Sequence, residues 1–534
     1  MLLQRLPREL EDGASLLKRR EKAAERKEKW RSVYQECYEY TMPQRETFSW
    51  YAEGQRKNRE IYDSTGKNAT YLSANNMQAL LCPPWKHWAM LAPGGDVTPD
   101  VAESQEVIDQ LQEITSTVFH YINHSNFSTV ATEVFLDLMV GTGAMCIDEG
   151  DPNDPIVFDA IPLSALEIEE GPRGTVETVW MKRKPLARNL VRTFPGMQKS
   201  DLPPALAKKV TDAPDTEIEI VQGAIYNPRN KRYYGVAIHC ESKAILWRYD
   251  YADSSPYVVA RASVIAGELY GRGPVMNALP DIKTLNRMQE FVLRHSNLVV
   301  APPMTGVSDG VLNPYTAQLI PNSIIPVASN DNGNPSLRPL EVGGNFMITD
   351  AIMDQLRQSV RKMLLGDTMS EQGPIKSATE IAISDRNRLW NMGAVYGRIQ
   401  SELLSKIISR VVWILQKQGK LPPLKVDGKM VTLKYVSPLA RAQDQEDLLS
   451  LGHTLELAQA AATSGGEAGM MAIATGFKFD AIPAWLAKRT GLDADLVRSE
   501  TERKQMVEQA MAAAQEAAAA QPQGGNVVPM RRPA

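Results

Sequence analysis

Tyr270-Gly-Arg-Gly-Pro-Val-Met-Asn-Ala-Leu-Pro-Asp-Ile-Lys-Thr-Leu-Asn286 is the stretch on which the reading of this chain turns. Its glycines suit a tight backbone passage, and a helix starts at Pro274 and runs to about Leu298. Beyond it lies a Pro-, Gly- and Asn-rich stretch, 301–345, with strand-like pieces such as Ser323-Ile-Ile-Pro-Val327. A second helix is predicted at about 346–365, then a loop from Gly366 to Pro374, then a very long helix over about 376–418. In that helix Ile399, Leu403, Ile407 and Val411 recur every four residues. Leu404, Ile408, Val412 and Leu415 stand beside them, so the apolar face is broad. Gly419 and the pair Pro422-Pro423 end it.

On the N-terminal side, 143–260 changes to period two. Ala144–Asp148, Ile156–Ile161, Glu217–Val221, Val236–His239 and Ala244–Trp247 read as strands, separated by turns such as Gly171-Pro172 and Asn227-Pro228. Helical patterns precede them at about 60–81, 99–122 and 126–141, with a short aromatic strand from Trp85 to Leu91. Residues 8–41 read as one helix ended at Thr41-Met42-Pro43. Its middle, Leu17 to Arg31, holds eight basic and three acidic residues. It reads either as a nucleic-acid or membrane patch or as a solvated helix laced with Glu–Lys and Glu–Arg pairs. After a strand at Met430–Val436 the chain is helical to about Gln521, and eight of the eleven residues Ala510–Ala520 are alanine.

The 534 residues carry 59 Lys+Arg against 63 Asp+Glu, a formal charge of −4. With 43% hydrophobic and 23% charged residues, wholesale disorder is excluded. The length predicts several compact units or one elongated protein. Near-neutrality argues against a broad basic surface that grips nucleic acid. Cys37, Cys82, Cys146 and Cys240 are too sparse for a disulfide scaffold and form no CxxC pair. Met1–Pro7 has no apolar core of a signal peptide, and nowhere do about 18 apolar residues follow one another. The expectation is a soluble chain made in the cytoplasm, with no membrane span.

Catalytic motifs fail on spacing. Gly66-Lys67 lacks the earlier glycine and the following Ser/Thr of a phosphate loop, since Ile61 and Asn68 stand there. Gly141-Thr-Gly143 and Gly271-Arg-Gly273 are half dinucleotide fingerprints whose third glycine is replaced by Cys146 or Met276. Close packing or turn geometry is the better use of these glycines. His120 and His124 share a helix face without a third ligand. Asp148, Glu149, Asp151 and Asp154 lack calcium-loop spacing and read as a solvated turn. No enzyme, metal or cofactor is expected.

Four segments together carry a resemblance. Asp137-Leu-Met-Val-Gly-Thr-Gly143 precedes the strands and Tyr270–Asn286 opens the first central helix. Ser377-Ala-Thr-Glu-Ile381 opens the long helix, with Arg386 and Arg388 following, and Tyr435-Val-Ser-Pro-Leu-Ala-Arg-Ala-Gln443 comes last. In this order the chain resembles the portal, or head-to-tail connector, proteins of short-tailed (podovirus-type) bacteriophages. The resemblance implies an α+β, predominantly helical fold with a wing (1–273, including the strands at 143–260), a stem of two helices (274–298 and 346–365) and a clip between them (299–345). A tunnel loop (366–377), a long wing helix and strand (378–439), a crown (440–500) and a C-terminal helical barrel (501–521) would follow, with 522–534 a mobile tail. The alanine-rich helix suits close helix–helix approach; the alternative is a lone frayed helix.

The resemblance further implies a closed ring of about twelve copies at the unique capsid vertex. That ring would be the channel for double-stranded DNA packaging and ejection and the attachment point of the tail. Its partners would be the terminase motor, the major capsid and scaffolding proteins and a tail adaptor, in the virion and, before assembly, in the host cytoplasm. Lys283, Arg287 and Arg294 fall within about 40° of one another on the first stem helix, with Glu290 on the same face, and Arg357 and Arg361 repeat the pattern on the second. They read either as a thin channel lining or as intersubunit salt bridges. In the tunnel loop Gly366, Asp367, Thr368, Met369, Ser370, Glu371, Gln372 and Gly373 would face the DNA, Asp367 and Glu371 repelling phosphate; the alternative is an ordinary surface connection. Two other classes stand beside this reading, a tail adaptor or nozzle and a cytosolic nucleotide-dependent enzyme.

Overall fold

The computed structural model describes residues 12–49, 54–55, 57, 61–84, 86–98, 104–151, 153–194, 196–300, 304–306, 337–339, 346–364, 397–423, 431–436 and 451–460, and singly Ile482, Leu486 and Met506. Outside these lie the tunnel-loop segment 366–377, the first half of the long helix, the strand-like Ser323–Val327, and nearly all of 461–534. The chain divides into a unit Met1–Lys434 and a unit Tyr435–Ala534; of the second, the helical stretch 451–460 is the longest described part.

The first unit mixes helix and strand, as the α+β reading expects. Helices α1 (Gly13–Glu28), α2 (Arg31–Thr41) and α3 (Thr65–Leu81) lead to a strand β1 (Ala89–Pro93), then α4 (Gln105–His124) and α5 (Phe127–Val140). The β module follows, with every pair antiparallel. One sheet has β2 (Thr142–Glu149) between β3 (Ile156–Ala160) and β9 (Tyr257–Arg261). The other is a meander of β4 (Leu166–Glu170), β5 (Val176–Arg183), β6 (Ile220–Asn227), β7 (Arg232–His239) and β8 (Ile245–Asp250).

Alternation gives the meander two buried faces. Val221, Val236 and Ile238 pack under Leu16 and Ala23 of α1. Ile220, Ala237 and Trp247 pack under a layer of two small helices, α6 (Leu190–Thr193) and α7 (Pro204–Asp212), with Leu190, Phe194 and Leu206. The strands of the two sheets span 142–261, and β4, β5 and β9 are not among those the alternation predicts. In β4, three glutamates among five residues obscure the buried Leu166 and Ile168.

The predicted single helix 8–41 is two. It tightens at Lys29–Trp30, where the Trp30 amide donates to Lys27 O at 2.8 Å, and restarts at Arg31. Trp30 stacks on Tyr34 at 5.7 Å and takes the Arg272 guanidinium over its ring at 5.0 Å. The break lets the two halves serve different surfaces. On α1 the basic residues lie along the acidic strand β4. Arg19 Nε donates to Glu169 at 2.8 Å, Arg20 pairs bidentately with Glu167, Arg26 reaches Glu170 at 3.6 Å and Lys27 Nζ donates to Ser164 O. Arg20 and Lys27 are thus held against the protein's own sheet, whereas Arg19 and Arg26 pair with it while staying exposed. Lys18, Lys22, Lys29 and Arg31 lie on the solvated side, where Arg31 pairs with Glu28 at 3.2 Å as the solvated reading expects.

The short strand also differs from expectation, sitting at Ala89–Pro93 rather than 85–91 and pairing with β12 (Val431–Tyr435). The acidic cluster divides: Asp151 and Asp154 are exposed, as the solvated reading expects, whereas Asp148 and Glu149 are partnered. Asp148 accepts from Cys146 Sγ at 3.2 Å, and Glu149 takes Lys417 Nζ at 2.5 Å and Tyr249 OH at 3.0 Å.

Of the long helix, the part that is described, α10, consists of a π-helical turn Gln400–Leu404 running into Ser405–Lys417. All eight aliphatic residues of its predicted face are buried. Gly419, at φ 72°, closes it, its amide donating to Gln416 O at 2.9 Å and the Lys420 amide to Leu415 O at 2.9 Å. In the π turn the Ser405 amide reaches back five residues to Gln400 O. Glu402 there meets Arg261 of β9. Arg261 Nη2 donates to Glu402 Oε1 at 2.7 Å, its own amide to Oε2 at 3.0 Å, and Nη1 to Leu269 O at 3.1 Å. Farther along α10 the buried Arg410 donates to Ile147 O at 3.1 Å and Ser254 O at 3.2 Å.

Candidate functional site

Two helices frame the site, α8 (Pro274–Val300) and α9 (Phe346–Met363), which pack together. α8 runs two residues past the predicted end. Between them the described pieces β10 (Met304–Gly306) and β11 (Leu337–Pro339) pair antiparallel.

The root of α8 is built from the glycines. Gly141 ends α5 at φ 155°, and a Cβ there would stand 2.1 Å from Gly271 O. A Cβ on Gly271 would stand 2.2 Å from Gly141 O, and one on Gly273 2.1 Å from Met139 O. Backbone thus meets backbone with no room for side chains. Hydrogen bonds lock the crossing: Gly273 N to Val140 O at 3.0 Å, Gly271 N to Thr142 Oγ1 at 2.9 Å and Tyr34 OH to Gly271 O at 3.1 Å. Beneath it the buried Asp137 accepts from Tyr38 OH at 2.8 Å and from Arg45 Nη2 at 3.0 Å. Burial raises the Asp137 carboxyl above its ordinary range, and the Arg45 charge opposes that shift. Two half-fingerprints and the first signature segment are therefore one joint between α5, β2 and α8, as the packing reading expected. The lone Gly66 lies in the first turn of α3 against Ile282, so no phosphate loop forms there.

From this root Val275, Ala278, Leu279, Ile282 and Leu285 bury one face of α8. Asn286 Oδ1 accepts from the amides of Tyr62 at 2.7 Å and Asp63 at 3.2 Å. Glu290 is the last residue of α8 to be buried. Past it Phe291, Leu293, Leu298 and Val299 are exposed, and Val300 is 86% exposed.

Four of the five predicted cations have partners within the chain. Lys283 Nζ donates to Glu36 Oε2 at 3.0 Å and sits 5.6 Å over the Tyr40 ring. That hydrogen bond raises the lysine above its usual value. Arg287 Nη1 donates to Glu290 Oε2 at 2.7 Å and its guanidinium lies over Phe291 at 4.8 Å. Arg294 Nη2 reaches Glu290 Oε1 at 2.5 Å. Arg357 Nε donates to Asp63 Oδ2 at 3.1 Å, and its Nη1 to Asp354 at 2.9 Å. Arg361 is exposed and has no ion pair among the described residues. Lys283, Arg287 and Arg294 do share one face, lining with Tyr40, Tyr62 and Phe291 a concavity of about 760 Å³.

Glu36, Tyr40 and Asp63 belong to this site and were not singled out in the sequence. They reach α8 and α9 across more than two hundred residues, beyond any spacing rule. The rings of His120 and His124 lie 4.2 Å apart and tilted by 40°, and no group of three or more His, Cys, Asp or Glu able to hold a metal exists among the described residues. No helix among them is long and apolar enough to cross a membrane.

A portal protein of Salmonella phage epsilon15 is 24% identical over 75% of this chain and 74% of its own length. A probable portal protein of Bordetella phage BPP-1 is 21% identical over 78% of this chain and 77% of its own. A chain from the virion of a native gene transfer agent particle aligns over 75% of this chain and 90% of its own, with 12% identity. Its TM-score of 0.34 is too low for the likeness to bear weight. The family profile described as bacteriophage head to tail connecting protein matches residues 14–497, nearly the whole chain, and to that family this chain belongs.

Proposed function

We propose that the protein is the portal of a phage head, a ring at one capsid vertex through which double-stranded DNA enters and leaves and to which the tail attaches. Family membership over residues 14–497 supports the head–tail role. The observation that carries the ring is the end of α8. Beyond Glu290 its Leu293, Leu298, Val299 and Val300 are left uncovered by the described residues of the chain itself, and exposed apolar surface of this kind marks an interface. Heterologous contacts between identical chains close into rings or run on as fibres. A closed ring of about twelve copies is the form the family resemblance implies.

In this reading α8 and α9 are the stem, 299–345 the clip, and the β module and α10 the wing. Residues 366–377 are the tunnel loop, 440–500 the crown and 501–521 a barrel. Lys283, Arg287, Arg294, Arg357 and Arg361 edge the channel. Partners are other copies, DNA, a terminase motor, capsid and scaffolding proteins and a tail adaptor. The role is structural and not enzymatic, exercised in the virion.

Mass photometry and negative-stain images of the purified full chain test this. Closed rings with a central channel are expected at micromolar concentration. Monomer alone across that range overturns the reading.

A further inference from the structure

Glu290 has a geometry that the two arginines around it do not share. Its side chain is 8% exposed, whereas those of Arg287 and Arg294 are 62% and 68% exposed. One buried carboxylate, three residues after one arginine and four before the other, binds both, at 2.7 Å and 2.5 Å. Such charge-assisted bonds fix both guanidiniums along the helix. Lys283 on the same face is matched by Glu36. Three cations against two carboxylates leave that face with a single positive charge, so most of its attraction for phosphate is cancelled within the chain.

We infer that Glu290 is a positioning residue that sets how strongly the channel holds DNA. By pairing both arginines from beneath, it keeps them aligned and lowers their combined charge, so that the face attracts a duplex without trapping it. This rests on the channel reading above. The physical basis is that each cation engaging a phosphate releases counterions and makes binding salt-dependent. A face of three free cations repeated around a ring would hold DNA tightly; one with a single net charge lets it slide.

The test uses rings of the full chain and compares linear duplex with covalently closed circles, which cannot thread. The excess binding of linear DNA measures the channel. Glu290→Gln keeps the shape and removes the charge. Its excess binding is expected to fall more steeply with salt, and for two added phosphate contacts to gain about tenfold in affinity relative to wild type between 200 and 50 mM salt. Arg287→Gln is expected to flatten the salt dependence, and Glu290→Gln with Arg287→Gln to restore the wild-type slope. An unchanged slope in Glu290→Gln, beside a flattened one in Arg287→Gln, overturns the role of Glu290 while leaving the channel face intact. Equal binding of linear and circular DNA by wild-type rings overturns the channel reading and this inference with it. If Glu290→Gln yields no rings, the exposed arginines decide. Removing Arg287 and then Arg294 takes the group from one positive charge through zero to a bare carboxylate, and the salt slope must fall at both steps. No second fall overturns the proposal.

Discussion

The two ends of α8 are opposites. At its root three glycines press backbone against backbone, and Tyr34, Asp137 and Arg45 complete a buried joint. At its tip the apolar side chains are uncovered. The first end is finished within one chain; the second is left open by the described residues. In the ring proposed above, the rigid root would fix where the open tip meets the next copy.

The comparison breaks most completely at the root. Gly271→Ala places a Cβ 2.2 Å from Gly141 O, and a carbonyl cannot rotate away as a side chain can. The loss should exceed about 4 kcal/mol, in the exceptional range for a point change, and appear as insoluble or unfolded chain in denaturant titrations. Wild-type stability for this variant means the crossing is looser than described.

Next comes the tie between the β module and α10. Arg261→Met leaves Glu402, with its 15% exposed side chain, without its main partner. The expected cost is about 3–5 kcal/mol, the range for breaking a buried pair from one side. Hydrogen exchange should quicken in the π turn before it does in β6 or β7. Uniform exchange across both would show that the pair is not what holds that turn.

At the tip the effect on the folded chain should nearly vanish. Val300→Asp and Leu298→Asp are expected to change unfolding free energy by no more than about 0.5 kcal/mol, as for exposed sites, while abolishing rings in mass photometry. Rings that persist in the double variant would show that neighbours meet elsewhere.

The last effect is a pH dependence at α1. Burial lowers the Lys27 amine to about 8, from 10.5 for an exposed lysine. Between those values the unfolded chain binds more protons than the folded one at this residue, so stability rises with pH there. The contribution of Lys27 is least below about pH 8 and grows as pH climbs towards 10.5. Urea midpoints of wild type should therefore gain on those of Lys27→Met between pH 7 and pH 10. A constant difference would mean that the amine is hydrated.

Part of this was legible in the residues. The aliphatic repeat from Ile399 to Leu415 is a face all of whose members are buried, because a helix of regular pitch converts spacing directly into direction. The same regularity hid the π turn. Spacing of four looks helical throughout, and the extra residue shows only in the Ser405 bond to Gln400. The glycine pairs read as packing elements, yet nothing local says that they pack on each other. The basic run on α1 was ambiguous because its counter-charges, Glu167 and Glu169, lie about 150 residues away.

The sequence by itself determined the order of helical and strand-rich segments, the two helices around a Pro- and Gly-rich insert, and the family. Each of these depends on local propensity, periodicity or short motifs. Only the tertiary structure decided that α1 lies on β4, that the chain bends at Trp30, and that Glu290 takes two arginines while Lys283 takes Glu36. Electrostatic partnership falls off with distance in space and not along the chain, so the fate of a charge is known only when the fold has brought its neighbours to it.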